Sequence, residues 1–396
     1  MKINLDRYIN PAVKNAPPDE SILTGNLADK MEAEGISLIH MDLGRPDFDT
    51  PEPAKAAAKR ALDEGKVFYT SLNGITELKE AIAAYEKEGH GIDADPEKNV
   101  LVTVGASEAL FEVWLNFLKP GDEVLIPTPC YCSYLYMLAC LGAKAVEVPT
   151  VRADGSVEFD IEMFRKKLTP NTKMIMINSP QNPTGMVYTK EQLETIAALA
   201  IENDLLVISD ECYDKYLFTG EHHSLATFPG MWERTFTINS TSKTYSMTGW
   251  RVGYVIAHEA FLDVMAATHA NLILCAPSFV QYGAAEAFRS VKDEIASNLT
   301  EYRRRRDLVV SCMDRTGLPY VKPEGAFYLF FDVGSLGMKG LDFCLKLLEE
   351  EHVTSMPGSI YGDDYHSWVR LAYTCGYDDL KTGMERIVSF IDRNRK

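Results

Sequence analysis

Lys243 lies in the run Ser240-Thr-Ser-Lys-Thr-Tyr-Ser-Met-Thr-Gly-Trp-Arg251, a lysine among small hydroxyl residues with an arginine eight positions on. A lysine amine is ordinarily protonated, with a reference pKa of about 10.4, and becomes a nucleophile only where burial or a neighbouring cation disfavours its charge. Such an amine captures carbonyl compounds as imines. The same run also fits a surface lysine in a Ser/Thr-rich loop. The rest of the chain decides between the two.

A lysine that forms an imine with a phosphorylated pyridine aldehyde needs a set of partners, each of which can be sought separately. The phosphate needs backbone amides at a helix N-terminus and a cation, because oriented N–H groups and the helix dipole both favour an anion. Val104-Gly-Ala-Ser107 leads into the helix-like Glu108 to Leu118, with Gly105 permitting close backbone approach, while Ser240 and Arg251 offer a hydroxyl and a guanidinium. Taken alone, Gly-Ala-Ser before a helix is an ordinary N-cap. The ring nitrogen needs a carboxylate to stay protonated, and Asp210 follows the apolar run Leu205 to Ser209. A buried aspartate there also suits a helix cap or an ion pair. Tyr213, three residues on, and Asn182 are candidates for the ring oxygen, and Tyr131 in Pro127-Thr-Pro-Cys-Tyr-Cys-Ser-Tyr134 is the candidate plate against the ring face, or else a packing residue.

The elements that must position these groups follow from hydrophobic pattern. Val100 to Val104, Glu123 to Ile126, Lys173 to Ile177, Leu205 to Ser209, Arg234 to Ile238 and Gly253 to Ala257 are short and apolar at nearly every position, as strands covered on both faces are. Helical segments lie between them; Thr189-Lys-Glu-Gln192 reads as a capping box opening Leu193 to Asn203. Strand and helix in alternation predict an α/β fold with a mostly parallel sheet between helices, in which ligands gather at the carboxyl ends of the strands. Asn182, Asp210 and Lys243 all follow strand-like runs. Beyond about residue 280 the pattern changes to a long charged helical stretch near 285 to 315, the strand-like Ala326 to Asp332, the helix-like Leu341 to Glu351 and the strand-like Trp368 to Tyr373. We expect a large domain over residues 45–280 and a smaller α+β domain from 1–44 together with 281–396.

Composition narrows the function classes. The 396 residues, 46% of them hydrophobic, suffice for more than one core. A formal net charge of -17 opposes binding to nucleic acid and to anionic membranes. The run Tyr302-Arg-Arg-Arg-Arg306, flanked by Glu301 and Asp307, reads as a solvated helix face. No signal-peptide core and no apolar run of the ~20 residues that cross a bilayer are present. The eight irregularly spaced cysteines form no zinc pattern, so reduced thiols in a cytoplasmic protein without a metal are expected.

Taken together, the motifs Asp42-Leu-Gly-Arg-Pro-Asp-Phe48, Tyr69 with Gly74-Ile-Thr-Glu-Leu78, Gly105-Ala-Ser107, Asn178-Ser-Pro-Gln-Asn-Pro-Thr-Gly185, Asp210-Glu-Cys-Tyr213, Ser240 to Lys243 with Gly249-Trp-Arg-Val-Gly253, and Arg370 stand in a familiar order. Over nearly its whole length the chain resembles the class I/II aminotransferases, the fold-type I enzymes dependent on pyridoxal phosphate, which implies that the mostly parallel sheet of the large domain is seven-stranded. The resemblance implies that Lys243 is the Schiff-base lysine and the acid/base for the α-proton. Asp210 would pair with the pyridinium, and Asn182 and Tyr213 would bind the ring oxygen. Gly105, Ala106, Ser107, Ser240 and Arg251 would hold the phosphate, and Tyr131 would stack on the ring. Arg370 would grip the substrate carboxylate beside Gly44 and Asn182. Tyr69 would reach the partner subunit's cofactor, which implies a homodimer with shared active sites. The implied reaction moves an amino group from an L-amino acid to a 2-oxo acid by ping-pong kinetics. Which acids is open, and Arg45 fits either a second carboxylate contact or an ion pair with Asp42, Asp47 or Asp49. A β-eliminating C-S lyase is the alternative within the fold. A ligand-binding regulator is the alternative outside catalysis, disfavoured because the resemblance begins within the first ~45 residues, leaving no room for a DNA-binding domain.

Overall fold

The computed structural model describes residues 3–14 and 16–395. Its larger sheet contains β1 (Val100–Thr103), β2 (Glu123–Thr128), β3 (Lys144–Pro149), β4 (Thr172–Asn178), β5 (Leu206–Asp210), β6 (Thr235–Ser240) and β7 (Gly253–Ile256), in the order β1-β7-β6-β5-β4-β2-β3. The pairs β2/β3, β2/β4, β4/β5 and β5/β6 are parallel, while β7 runs antiparallel to both β1 and β6. The expected sheet is present, with this one strand reversed.

The apolar runs have a simple cause. Successive side chains of a strand point to opposite faces, and here both faces are covered. Met174, Met176 and Ile208 join Leu110 and Trp114 in one cluster, whereas Ile175, Ile177 and Val207 join Leu193 and Ile196 in another. β3 breaks the pattern because it is an edge strand, paired only with β2, with Lys144 exposed and Val148 buried. Its mixed sequence hid it from pattern reading. The helix Lys190–Glu202 starts as its capping box requires: Gln192 N–H donates to the Thr189 hydroxyl at 3.3 Å and Thr189 N–H donates to Gln192 Oε1 at 2.9 Å.

The charged stretch near 285 to 315 resolves into two helices, Ser278–Ser290 and Lys292–Thr316, separated at Val291. Val280, Ala284 and Phe288 of the first pack with Ile82 and Tyr254 of the large-sheet side. The second turns toward a smaller antiparallel sheet of β8 (Tyr320–Val321), β9 (Tyr328–Asp332), β10 (Met356–Pro357) and β11 (Trp368–Ala372), ordered β10-β11-β9-β8. Leu329, Phe331, Val369 and Leu371 of that sheet meet Val309, Phe343, Leu347 and Ile387 from three helices. The N-terminal segment closes on this part: Ala28 and Met31 pack on Leu348, and Ile39 N–H donates to His352 C=O at 2.9 Å.

The arginine run is not a solvated face. Arg305 is buried and forms a two-pronged pair with Asp47, at 2.7 and 3.0 Å, while Arg303 donates to Phe218 C=O. Only Arg303 and Arg304 of the four are exposed. The pair with Asp47 ties the loop after Gly44 to the long helix. Among the described residues no helix is long and apolar enough to cross a membrane.

Loss of the capping box is measurable on its own. Thr189→Ala should lower the unfolding free energy by about 1 kcal/mol, read as an earlier midpoint in urea with an unchanged slope; an unchanged midpoint would show that the cap adds nothing to this helix.

Candidate active site

β4, β5 and β6 are neighbours, and their carboxyl ends meet: Asn178 pairs with Asp210, and Asp210 with Ile238. The loops beyond carry Asn182 and Lys243 to the same edge, where a cavity of about 450 Å³ opens between the two sheets. Gly44, Ala106, Ser107, Tyr131, Asn182, Asp210, Tyr213, Ser240, Lys243, Arg251 and Arg370 all line it. Gly105 lies directly behind, as shown below. Tyr69 is the exception. It is 82% exposed and lies outside the cavity of its own chain.

The Lys243 amine donates to Gly44 C=O at 2.6 Å and sits 5.9 Å from the centre of the Tyr213 ring. Burial, aided by the charges of Arg370 and Arg251 and opposed by Cys212 and Asp210, brings its pKa down to about 8. That is the perturbation a lysine needs to attack a carbonyl near neutral pH. Gly44 is glycine for lack of space, since a Cβ there would collide with the Tyr328 hydroxyl.

Asp210 is buried and held by two neutral donors, the Tyr134 hydroxyl at 2.6 Å and Cys212 N–H at 3.1 Å. Burial raises its pKa, and those hydrogen bonds only partly offset the rise. Neither of these hydrogen-bond donors carries a charge. A buried carboxylate hydrogen-bonded only by neutral donors is matched to a cationic ligand group, which is what a protonated pyridine nitrogen presents.

One end of the cavity is built largely from backbone. The helix Ala106–Phe117 begins after Gly105, which has φ +80° and no side chain to cap the first turn, and its first two residues, Ala106 and Ser107, line the cavity. A Cβ on Gly105 would run into the Arg251 guanidinium. Gly253 pairs with both Thr103 and Ser240, and a Cβ on it would meet Ala106 N at 2.5 Å. Uncapped amides, the Ser107 and Ser240 hydroxyls and an arginine therefore meet at one corner, as a phosphate requires.

Arg370, on β11, is buried with its Nη1 donating to Asn182 Oδ1 at 3.2 Å and its Nη2 to Asp42 C=O. Its Nε is buried and has no partner. Two protein contacts fix the guanidinium plane and leave donors for a carboxylate. Tyr328 and Tyr361 flank it, with ring centres 4.6 and 5.3 Å from the guanidinium carbon. Because Asn182 gives its oxygen to Arg370, its amide N–H groups are left for an acceptor in the cavity. The Tyr213 hydroxyl hydrogen-bonds the Tyr328 hydroxyl at 2.8 Å.

Sequence reasoning missed Tyr134, Tyr328 and Tyr361. Tyr134 had a signal, because it lies one helical turn after Tyr131; Tyr328 and Tyr361 had none, because their partners are distant in the chain. The ion pairs proposed for Arg45 do not form. Asp47 is taken by Arg305, Asp49 by Lys55 at 2.7 Å and Asp42 by Thr354 at 2.6 Å. Arg45 is exposed.

Residues 36–387 match the profile of the family described as aminotransferase class I and II. The chain is 40% identical to aromatic-amino-acid aminotransferase 2 of Thermococcus litoralis, over 90% of this chain and 92% of that one. It is 41% identical to aspartate aminotransferase of Pyrococcus abyssi, over 88% and 90%. A solved variant of Thermus thermophilus aspartate aminotransferase superposes with a TM-score of 0.91 at 35% identity, covering 96% of this chain and 99% of that one. With a mostly parallel sheet, a cavity lysine of depressed pKa and a corner shaped for phosphate, the chain belongs to the class I and II aminotransferases, enzymes that use pyridoxal phosphate to move an amino group from an amino acid to a 2-oxo acid.

Proposed function

We propose that this chain transfers amino groups from L-amino acids with uncharged, above all aromatic, side chains, with Lys243 as its acid/base and its active site completed by a second copy. The observation that carries the assignment of Lys243 is its place in the cavity that Asp210 and Arg370 also line, with a pKa of about 8. Gly105, Ala106, Ser107, Ser240 and Arg251 would hold the cofactor phosphate. Tyr131 would cover the ring, Asn182 and Tyr213 would donate to the ring oxygen, and Asp210 would pair with the ring nitrogen. When bound, pyridoxal phosphate supplies an electron sink for the charge left at the substrate α-carbon.

The chain's own groups do the rest. Arg370 binds the α-carboxylate and, being fixed by Asn182 and Asp42, orients the α-C–H bond toward Lys243. Lys243 Nζ, once unprotonated, takes the α-proton and holds it for return. Asp210 stays ionised beside a positive ring nitrogen, a pairing that lowers the barrier by placing fixed charge in a dry site. Release of one product before the second substrate enters makes the kinetics ping-pong.

Substrate choice is supported by what the cavity offers beyond these groups. Its cations are Lys243, Arg251 and Arg370, all with roles above, while Asp19 and Asp42 also line it, together with Tyr131, Tyr328 and Tyr361. A distal carboxylate would meet acids and aromatic faces. The case for a dimer rests on Val67, Phe68 and Tyr69, which are 54%, 80% and 82% exposed, beside Leu272 and Leu274 at 50% and 40%; Thr70 N–H contacts Cys275 Sγ, joining the two segments. Bulky apolar side chains gathered this way mark a protein interface. All eight cysteines are free thiols, which supports a reducing cytoplasm.

Three measurements test this. In a screen of amino donors with 2-oxoglutarate or pyruvate, aromatic donors should exceed aspartate in kcat/KM by at least about 10-fold, equivalent to about 1.4 kcal/mol, and Lys243→Ala should lose at least about 1000-fold. Ammonia release without a new amino acid would show elimination instead. Cofactor-free protein should take up pyridoxal phosphate faster as the pH rises through about 8, because only the unprotonated amine attacks; a flat profile between about pH 6 and about pH 10 would remove Lys243 from that role. Sedimentation at assay concentration should give twice the chain mass, and a fully active monomer would end the shared-site proposal.

A further inference from the structure

Asp210, Tyr213 and Lys243 line the cavity, and the residue after each, Glu211, Asp214 and Thr244, does not. Those three point away from the cavity into a network of buried polar groups, which the half-buried Lys215 approaches with its Nζ 3.5 Å from His90 Nε2 and 3.8 Å from Asp214. Glu211 accepts from the Ser209 and Ser224 hydroxyls at 2.7 and 2.8 Å and from His222 Nε2 at 2.8 Å. Asp214 accepts from the Tyr85 hydroxyl, from His90 Nε2 at 3.1 Å and from the Thr244 hydroxyl at 3.3 Å. The other ring nitrogen of His90 lies 2.6 Å from Glu86, whose second oxygen takes the Tyr254 hydroxyl at 2.6 Å. The two halves join where the His90 and His222 rings meet edge to face, with centres 4.9 Å apart.

Both nitrogens of His90 face carboxylate oxygens, and ionised carboxylates only accept. The ring is therefore an imidazolium. Burial opposes that charge, but Glu86 and Asp214 outweigh it and push the His90 pKa up to about 10, while His90 in turn holds Asp214 below the ordinary carboxylate range against the effect of burial. Glu86, Glu211 and Asp214 have side chains that are 0%, 1% and 0% exposed. A cation at their centre is the condition on which such a cluster can remain buried. His90, Glu211 and His222 also come close enough together to hold a metal ion. Both nitrogens of His90 already face carboxylates, so that ring has none free for an ion, while His222 Nδ1 is buried without a hydrogen-bond partner.

Resting on the roles proposed above for Asp210, Tyr213 and Lys243, we propose that His90 is a positioning residue: clamped between Glu86 and Asp214, it fixes the loop that aims Asp210 and Tyr213 and, through Thr244, sets the backbone of Lys243. It touches no reacting group. It stands at the end of the helix Thr76–His90, so that helix becomes the fixed post against which the catalytic loop is braced.

The test compares wild-type holoenzyme with His90→Gln and Thr244→Val. Gln keeps a hydrogen-bonding side chain and removes the charge; Val keeps the shape of Thr and removes one donor to Asp214. His90→Gln should lower kcat at least about 10-fold while KM for the amino donor changes by less than about 3-fold, as expected when geometry rather than binding is lost. It should also alter the visible circular dichroism of the bound cofactor. Thr244→Val should alter the same signal and lower kcat by about 3-fold or more, with the thermal midpoint unchanged. A folded His90→Gln that loses only thermal stability, keeping wild-type kcat and dichroism, overturns the proposal. If that variant does not fold, wild-type kcat and dichroism in Thr244→Val overturn it equally. Wild-type protein without transaminase activity would instead refute the substrate and lysine assignments.

Discussion

An ionised carboxylate in a protein interior must be surrounded by donors or met by a positive charge, and Asp210 is the point at which this molecule leaves that requirement partly open. Tyr134 and the Cys212 amide are neutral donors, and no cation is hydrogen-bonded to the carboxylate. Much of the surrounding structure follows. The strand that carries it is covered on both faces, its neighbours deliver Asn182 and Lys243 to the same edge, and the residue next to it is secured in a separate buried network. Lys243 shows the mirror case, a cation kept beside other cations and out of water until its proton is easily lost.

The cavity belongs to neither sheet alone. Arg370 comes from the smaller sheet and bonds Asn182 from the larger one, while Lys243 from the larger side bonds Gly44 in the segment that leads out of the N-terminal region. The Asp47–Arg305 pair holds that same segment to the long helix. Small relative movement of the two parts would therefore change the distance between the group proposed to hold a substrate and the group proposed to take its proton. Arg370 and Lys243 are coupled by packing even though no bond joins them.

What could be read from the chain were the features that repeat locally. Strands covered on both faces announce themselves as apolar runs, and Asp210 was found because it follows one, whereas Lys243 was found from the hydroxyl residues around it and the arginine eight positions on. The capping box at Thr189 is likewise contained in four residues. What could not be read depends on partners far away. Arg305 looked solvated in a charged helix because its partner, Asp47, lies 258 positions earlier. Tyr328 reaches Tyr213 across 115 positions. β3 was hidden for a different reason: an edge strand with one neighbour has no need of apolar residues at every position, so Lys144 and Glu147 concealed it.

β7 runs against its neighbours, and its direction decides where a charge ends up. Because the chain enters β7 at the edge where β1 and β6 finish, the residue two places before it, Arg251, arrives beside Gly105 and Ser240. Had β7 been laid down the same way as β6, its entry would fall at the opposite rim, about 13 Å away for a strand of four residues. A single reversal in an otherwise uniform sheet thus lets the polypeptide bring a side chain from the start of one strand to the company of those from the ends of the others.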